Sequence, residues 1–204
     1  MTDAVTTEVF ANLFKAIVDE MAWVVLRSSH TTFVKETQDF GVALVTEAGE
    51  TFAAPYSSGA TTMIGMPMHA GTRAFAQWEP GDVLITNDPY SSGGMVMHLN
   101  DLYVFRPIFA DGALLCFAWA FIHCTDVGGY APGSIDMQNG EVFQEGLRLR
   151  PVKLFRAGRI NQEVWDIFAD NCRIPGLNWG DLTACLAALA KAETRMQRLA
   201  QRYG

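Results

Sequence analysis

Two histidines and an aspartate are the residues whose types and spacing could hold a metal ion: His98, Asp101 and His123. Imidazole nitrogens with a carboxylate oxygen suit Zn, Mn or Fe, whereas Ca requires more oxygens. On a straight strand His98 and Asp101 would face opposite sides. They can share a metal only if a turn leads into the strand, and Gly93-Gly94 upstream permits one. Buried polar residues without a metal are the structural alternative.

A predicted β-hairpin brings these residues together. Two apolar runs, residues 102–109 and 113–122, flank Asp111-Gly112, which is a strong signal for a two-residue hairpin turn. If these two residues form the turn, His123 pairs with residue 100. It then lies within cross-strand reach of the other two candidate ligands.

Further polar residues are candidate helpers. Asp126 follows His123 by three residues and would orient an imidazole, add a fourth ligand or simply form a turn. His69, in a segment of small and flexible residues, is a candidate for substrate contact or proton transfer, with a structural role as the alternative. Asp88 is better explained as a turn-forming residue than as part of the same pocket. Glu36 and Asp39 are interpreted as surface charges in preference to an acid/base pair.

Other catalytic motifs are missing from the sequence. It contains no GxSxG, P-loop or GxGxxG pattern, so no nucleotide site is predicted. Cys124 adjoins His123, but neighbouring strand residues point to opposite faces, which argues against a Cys–His dyad. Two histidines and a carboxylate also occur in iron oxygenases, and we rank that chemistry below hydrolysis or carboxyl transfer.

The elements that must position these residues indicate an α+β fold. The pattern predicts an N-terminal amphipathic helix over 7–27, with Thr6 or Thr7 as its N-cap. It also predicts a mixed or antiparallel sheet around the central hairpin at 102–122. The other predicted segments are strands at 40–45, 51–54, 83–86 and 150–155 and a loop at 55–71.

Two helices are predicted near the C-terminus. One covers 163–172 and is stopped by Pro175-Gly176; the other runs from about 181 to 203. The second has an apolar stripe and a basic face, which is either solvated or a docking surface for an acidic partner. We expect residues 1–204 to form a single domain. A helix that continues to the chain end suggests one part of a larger assembly.

Composition excludes several classes of protein. The net charge is −7, and residues 1–145 have 5 basic and 17 acidic side chains, which argues against nucleic-acid binding. No apolar run is long enough to span a membrane. The four cysteines form no CxxC pair and indicate reduced, buried thiols. We therefore expect a cytoplasmic protein.

Around the candidate metal ligands and over several further segments, the chain resembles the hydantoinase B/oxoprolinase family, which includes the metal-bearing subunits of acetone and acetophenone carboxylases. The resemblance is colinear over nearly the whole chain. The matching segments are residues 33–44, 67–71, 80–90, 98–101, 123–129, 132–134, 141–147, 151–154 and the final helix.

The resemblance implies that His98, Asp101 and His123 occupy the positions of the family's metal ligands. Family members commonly have a second histidine directly after the last of these residues, and this chain has Cys124 at that position. Family members are typically more than twice as long, so this chain corresponds to their N-terminal portion. The resemblance also implies a hetero-oligomer in which a hydantoinase A-like partner subunit uses ATP to activate a cyclic amide or a ketone.

The leading hypothesis is an ATP-dependent hydrolase of cyclic amides, with one divalent transition metal (Zn, Mn or Fe) on His98, Asp101 and His123. Asp126 and His69 are its expected catalytic helpers. A subunit of a ketone carboxylase is the first alternative. A non-catalytic assembly subunit, docking through the basic helix face, is the second.

Overall fold

The computed structural model describes residues 3–60 and 65–203. Residues 61–64, which belong to the predicted loop at 55–71, lie outside the described residues. The helices are α1 (Ala4–Ser28), α2 (Thr32–Lys35), α3 (His69–Thr72), α4 (Gln162–Asn171) and α5 (Pro175–Tyr203). The strands are β1 (Phe40–Val45), β2 (Thr51–Ala53), β3 (Val83–Thr86), β4 (Asp101–Ala110), β5 (Ala113–His123), β6 (Val152–Arg156) and β7 (Arg159–Ile160).

One seven-stranded sheet forms the centre of the fold, in the order β2-β1-β5-β4-β3-β6-β7. Every strand pair among the described residues is antiparallel. The predicted α+β class is therefore confirmed, and the sheet is antiparallel. The predicted hairpin at 102–122 is present as β4 and β5, the two longest strands, with further strands on both sides.

The Asp-Gly turn connects these two strands as predicted. Asp111 has φ 50° and Gly112 has φ 80°, so both central residues adopt the left-handed conformation. A type I′ hairpin turn requires this conformation, because its twist matches that of the strands that it joins. The turn therefore fixes the start of the β4–β5 pairing.

One extra residue in β5 shifts the pairing farther along. Ile108 pairs with Cys116, and the register skips Leu115, which forms a β-bulge. His123 consequently pairs with Asp101, and the predicted partner, residue 100, was wrong by one position. Because side chains alternate between faces, the bulge places Asp101 and His123 on the same face of the sheet.

The two faces of the sheet are covered differently. Leu102, Val104 and Ile122 face a core formed with α1 and α5, whose apolar stripes pack on the sheet and on each other. The opposite face is aromatic, with Tyr103 and Phe121 stacked at 5.2 Å between ring centroids. Loops, and no long helix, cover this second face among the described residues.

Two helix boundaries differ from the sequence-based expectation. Asp3, not Thr6 or Thr7, caps α1: its carboxylate accepts a hydrogen bond from the Thr6 amide at 2.8 Å. Pro175 begins α5 as well as following α4, so the last helix starts at 175 and not near 181. Proline suits the first turn of a helix, where its missing N–H has no partner in any case.

No helix in the described part of the chain is long and apolar enough to cross a bilayer.

Candidate metal centre

The end of the β4–β5 hairpin brings the three predicted ligands together. Asp101 begins β4 and His123 ends β5, directly opposite it, on the face that carries Tyr103 and Phe121. His98 reaches them from the turn before β4, whose backbone is closed by a hydrogen bond from the Asp101 amide to the His98 carbonyl at 3.1 Å. One potential ligand atom from each of the three residues lies within 4.8 Å of the other two.

The three side chains already contact one another. Nε2 of His98 lies 3.1 Å from Oδ1 of Asp101, and Nδ1 of His123 lies 3.5 Å from the same oxygen. Asp101 and His123 are buried, whereas the side chain of His98 is 32% exposed. The site therefore has a closed floor and opens to solvent on the side of His98.

The electrostatics of the three residues favour a bound cation. Burial raises the pKa of Asp101, but hydrogen bonds from His123 and His98 and their charges outweigh it, and the pKa is lowered. The hydrogen bond to Asp101 is the main reason why the pKa of His98 is raised, against the effect of burial. The carboxylate is thus an anion that must be matched by positive charge, from imidazolium or from a metal.

The donor set fits a divalent transition metal. Nε2 of His123 is buried and has no hydrogen-bond partner among the described residues. A buried polar atom without a partner is costly, and a metal would satisfy a lone pair on the ring. Two imidazoles and one carboxylate match the ligand preferences of Zn, Mn and Fe.

Asp39 is a second acidic residue at this site, and the sequence interpretation missed it. It immediately precedes β1, which pairs with β5 so that Phe40 faces Ile122. The His123 amide donates to the Asp39 carbonyl at 3.0 Å, and the Asp39 carboxylate Oδ2 lies 3.5 Å from His123 Nδ1. Burial is the main cause of a raised pKa for Asp39. The sequence interpretation favoured the surface for this residue, which precedes a predicted strand, because nothing local in the sequence indicates that β1 pairs with β5.

An aromatic ring and a core cysteine flank His123. The ring of Phe33, from α2, lies 4.5 Å from the imidazole between centroids and covers it. Cys124 points into the core on the opposite side of the sheet, and burial raises its pKa well above the usual value. As expected for neighbouring strand residues, Cys124 does not join the three candidate ligands.

Asp126 lies in a separate network of hydrogen bonds. Its carboxylate accepts from the amides of Gly128 at 2.9 Å, Gly133 at 2.8 Å and Arg173 at 3.1 Å. It also accepts from the Arg173 guanidinium at 2.8 Å. This ion pair, between a buried carboxylate and an exposed guanidinium, ties the loop after β5 to the segment before α5. Its predicted role as a catalytic helper stays a prediction.

His69 is not among the residues that the fold brings together. It begins α3 and is exposed, and the neighbouring Gly71 packs so closely on Phe105 that a Cβ would lie 2.4 Å from the ring. Phe105 is four residues, or about 13 Å, along β4 from Asp101. His69 is therefore not grouped with the candidate ligands, and its role as a helper also stays a prediction.

Asp88 forms a turn, as expected, because its carboxylate accepts a hydrogen bond from the Tyr90 amide at 3.1 Å.

Comparison with known proteins defines the family of this chain. The model of the hydantoinase B/oxoprolinase family matches residues 3–204. The chain belongs to this family. A relative from a Pseudomonas species, named as one of the subunits of a putative D-/L-hydantoinase, is 29% identical over an alignment of 211 positions that covers 99% of this chain and 35% of that protein.

Two solved structures share the fold. An ATP-dependent caprolactamase from Pseudomonas jessenii superposes with a TM-score of 0.88 at 26% identity, over all of this chain and 35% of that one. A nucleotide-free acetone carboxylase superposes with a TM-score of 0.81 at 16% identity, over 97% of this chain and 26% of that one. The second likeness concerns the fold alone. The chain spans 35% of the length of the hydantoinase relative and 16% of that of a 5-oxoprolinase from Dictyostelium discoideum, so it covers about a third or less of these relatives.

Proposed function

We propose that this chain is the metal-bearing part of an ATP-dependent amidohydrolase that acts on a cyclic amide. The observation that carries the proposal is the convergence of His98, Asp101 and His123 within 4.8 Å, with one ring nitrogen of His123 buried and unpartnered among the described residues. These three residues would hold the metal. A divalent metal supplies a Lewis acid at this position when it is bound.

The protein side chains have distinct tasks in this proposal. Asp101 lies between the two imidazoles and fixes both rings through contacts at 3.1 and 3.5 Å. Asp39 approaches the same ring nitrogen of His123, Nδ1, at 3.5 Å and helps to hold the ring orientation, as carboxylates beside metal-binding histidines do. Phe33 excludes water from the imidazole face. The partly exposed His98 marks the side from which a substrate enters.

The choice of hydrolysis over carboxylation is supported by the degree of likeness to the two solved structures. The likeness to caprolactamase is higher in identity and in TM-score than the likeness to acetone carboxylase. A role in a ketone carboxylase is therefore the second candidate. Both reactions need a Lewis acid beside a positioned base, which the site would supply.

The proposal includes a hetero-oligomer with a hydantoinase A-like subunit that uses ATP. It is supported by relatives whose names describe subunits, among them the beta subunit of caprolactamase. A cytoplasmic location is proposed with it, and the four free, buried cysteines fit a reducing compartment.

Elemental analysis of the purified chain tests the metal. We expect close to one transition metal per chain in the wild type and its loss in His98→Ala. His69→Ala is the matched control, because it removes an exposed imidazole that is not grouped with the candidate ligands. Equal metal content in the wild type and His98→Ala would disprove the site.

Activity is then tested with the chain reconstituted with an ATPase partner. Release of an amino acid from a lactam that depends on ATP and is lost in His98→Ala supports the hydrolase. Carboxylation of a ketone with the same dependence supports the second candidate. A metal-free chain that binds the ATPase and leaves both substrates unchanged would establish a non-catalytic assembly role in their place.

A further inference from the structure

An arginine in the segment before β6 is held by two exposed aromatic rings. The guanidinium carbon of Arg148 lies 5.4 Å from the ring centroid of Tyr90 and 5.8 Å from that of Phe143. These rings are 66% and 74% exposed. Aromatic faces attract a cation, so this cluster fixes the arginine at the surface instead of burying it.

The hydrogen-bonding fork of this arginine is open. Nε of Arg148 faces Oδ1 of the buried Asp88 at 3.7 Å, and that carboxylate is already engaged by the amides of Tyr90 and Ser91. The ion pair with Asp88 is the contact of this guanidinium with a carboxylate, and neither Nη1 nor Nη2 of Arg148 donates a hydrogen bond within the described part of the chain. A guanidinium that is fixed in place but has free N–H groups is suited to bind an oxyanion in a bidentate manner.

The backbone on either side of Arg148 is anchored to the segment that carries the first metal-ligand candidate. The amide of the Asn87 side chain donates to the carbonyls of Leu99 at 2.7 Å and Leu147 at 2.8 Å. Its oxygen accepts from the Leu149 amide at 2.6 Å. Arg148 is thus held between two residues that are tied, through one buried asparagine, to the neighbour of His98.

A second link brings the same segment close to the candidate metal centre. The Glu145 carboxylate accepts from the Leu99 amide at 3.2 Å, directly beside His98 in the chain. With Asp39 and Asp101 also present, this end of the sheet is acidic. A fixed cation such as Arg148 beside these acids would favour binding of an anionic substrate.

We infer that Arg148, clamped by Tyr90 and Phe143, binds an oxyanion of the substrate processed at the candidate metal centre. The oxyanion is either a carboxylate of the substrate itself or a phosphoryl group added during activation by ATP. The assignment to a substrate rests on the proposed function, whereas the binding of an oxyanion by Arg148 does not. Arg148 would therefore select substrates by charge, separately from the groups that hold the metal.

Calorimetric titration of the metal-stripped 204-residue chain tests this assignment. The probes are inorganic phosphate, 5-oxoproline as a cyclic amide with a carboxylate, and the neutral analogue 2-pyrrolidinone. We expect Arg148→Met to weaken binding of at least one anion by about tenfold or more, since a hydrogen-bonded charge is lost. The anion affinity of Arg148→Lys, which keeps the charge but lacks the planar fork of N–H groups, should fall between those of the wild type and Arg148→Met. Arg159→Met, at an exposed arginine on β7, is the matched control and should leave the affinity within about twofold.

The pattern across the probes identifies the source of the anion. Arg148-dependent binding of 5-oxoproline, without phosphate, points to a substrate carboxylate, and the reverse points to a phosphoryl group. No saturable binding of either anion to the wild type at millimolar concentrations overturns the assignment, as does unchanged binding in Arg148→Met. Metal content measured separately on untreated protein distinguishes failure of the metal centre from failure of the anion site.

Discussion

The Asp39 carboxylate lies 3.5 Å from Nδ1 of His123, across the boundary between the first and fifth strands. The two residues are 84 positions apart in the sequence. The β1–β5 pairing that joins them is independent of the hairpin that joins Asp101 to His123. Residues at the ends of three strands therefore meet at one histidine, and two carboxylates, those of Asp39 and Asp101, face its Nδ1.

Asp39→Asn should weaken metal binding by about 10- to 100-fold without abolishing it, because carboxylates that orient a metal-binding imidazole have effects of this size. The measurement is competition with a chelator of known affinity. Glu36→Gln is the matched control: Glu36 is a nearby exposed acid that is not among the groups around His123. Equal affinities of the two variants would contradict an orienting role for Asp39.

Asp126→Asn should destabilise the chain by about 2–4 kcal/mol, because the Arg173 guanidinium would lose its charged partner and an NH₂ group would face N–H donors. Urea unfolding at neutral pH measures this change. Asp170→Asn, at an exposed aspartate of α4, should change the free energy of unfolding by less than about 0.5 kcal/mol.

The cost of Asp126→Asn should also depend on pH. Burial raises the pKa of Asp126, but hydrogen bonds from Gly133, Arg173 and Gly128 have a larger opposite effect. The pKa of Asp126 is therefore below the usual 3.8. A carboxyl with a lowered folded-state pKa stabilises the protein above its unfolded pKa and loses this contribution as pH falls through the folded value. The wild type and the variant should therefore converge in stability below pH 3.8. A difference that is constant with pH would show that the charge of Asp126 is unimportant.

Gly112→Ala should destabilise the hairpin by about 1–2 kcal/mol, because a Cβ is unfavourable at the left-handed φ of 80°. Thermal or urea unfolding measures the loss. Asp111→Asn is the paired control and should be close to neutral, since asparagine also tolerates this conformation and Asn-Gly is the preferred turn sequence. Equal stability of both variants would indicate that the turn conformation is not as described.

Much of the fold is predictable from local sequence. The apolar periodicity of residues 7–27 predicts α1, and the turn at Asp111-Gly112 predicts the central hairpin. Both features depend on interactions between residues close in sequence. The three ligand candidates were predictable for the same reason, because a hairpin brings its two ends together whatever the rest of the chain does.

The errors have equally specific causes. The bulge at Leu115 gives no signal in the sequence, and it changes the partner of His123 from residue 100 to Asp101. A helix start at Pro175 is compatible with the sequence, but a proline after a helix is more readily interpreted as a stop signal. The ion pair of Asp126 with Arg173 joins residues 47 positions apart, which periodicity does not connect.

By itself the sequence determined the longer elements, the turn that folds β4 onto β5, and the residue types that could bind a metal, because hydrophobic periodicity and turn chemistry act over a few residues. Only the tertiary structure decided which face each ligand occupies, which acid joins His123 and which acid is engaged elsewhere. Those outcomes depend on register and on pairing between distant strands, where a shift of one residue turns a side chain to the other face.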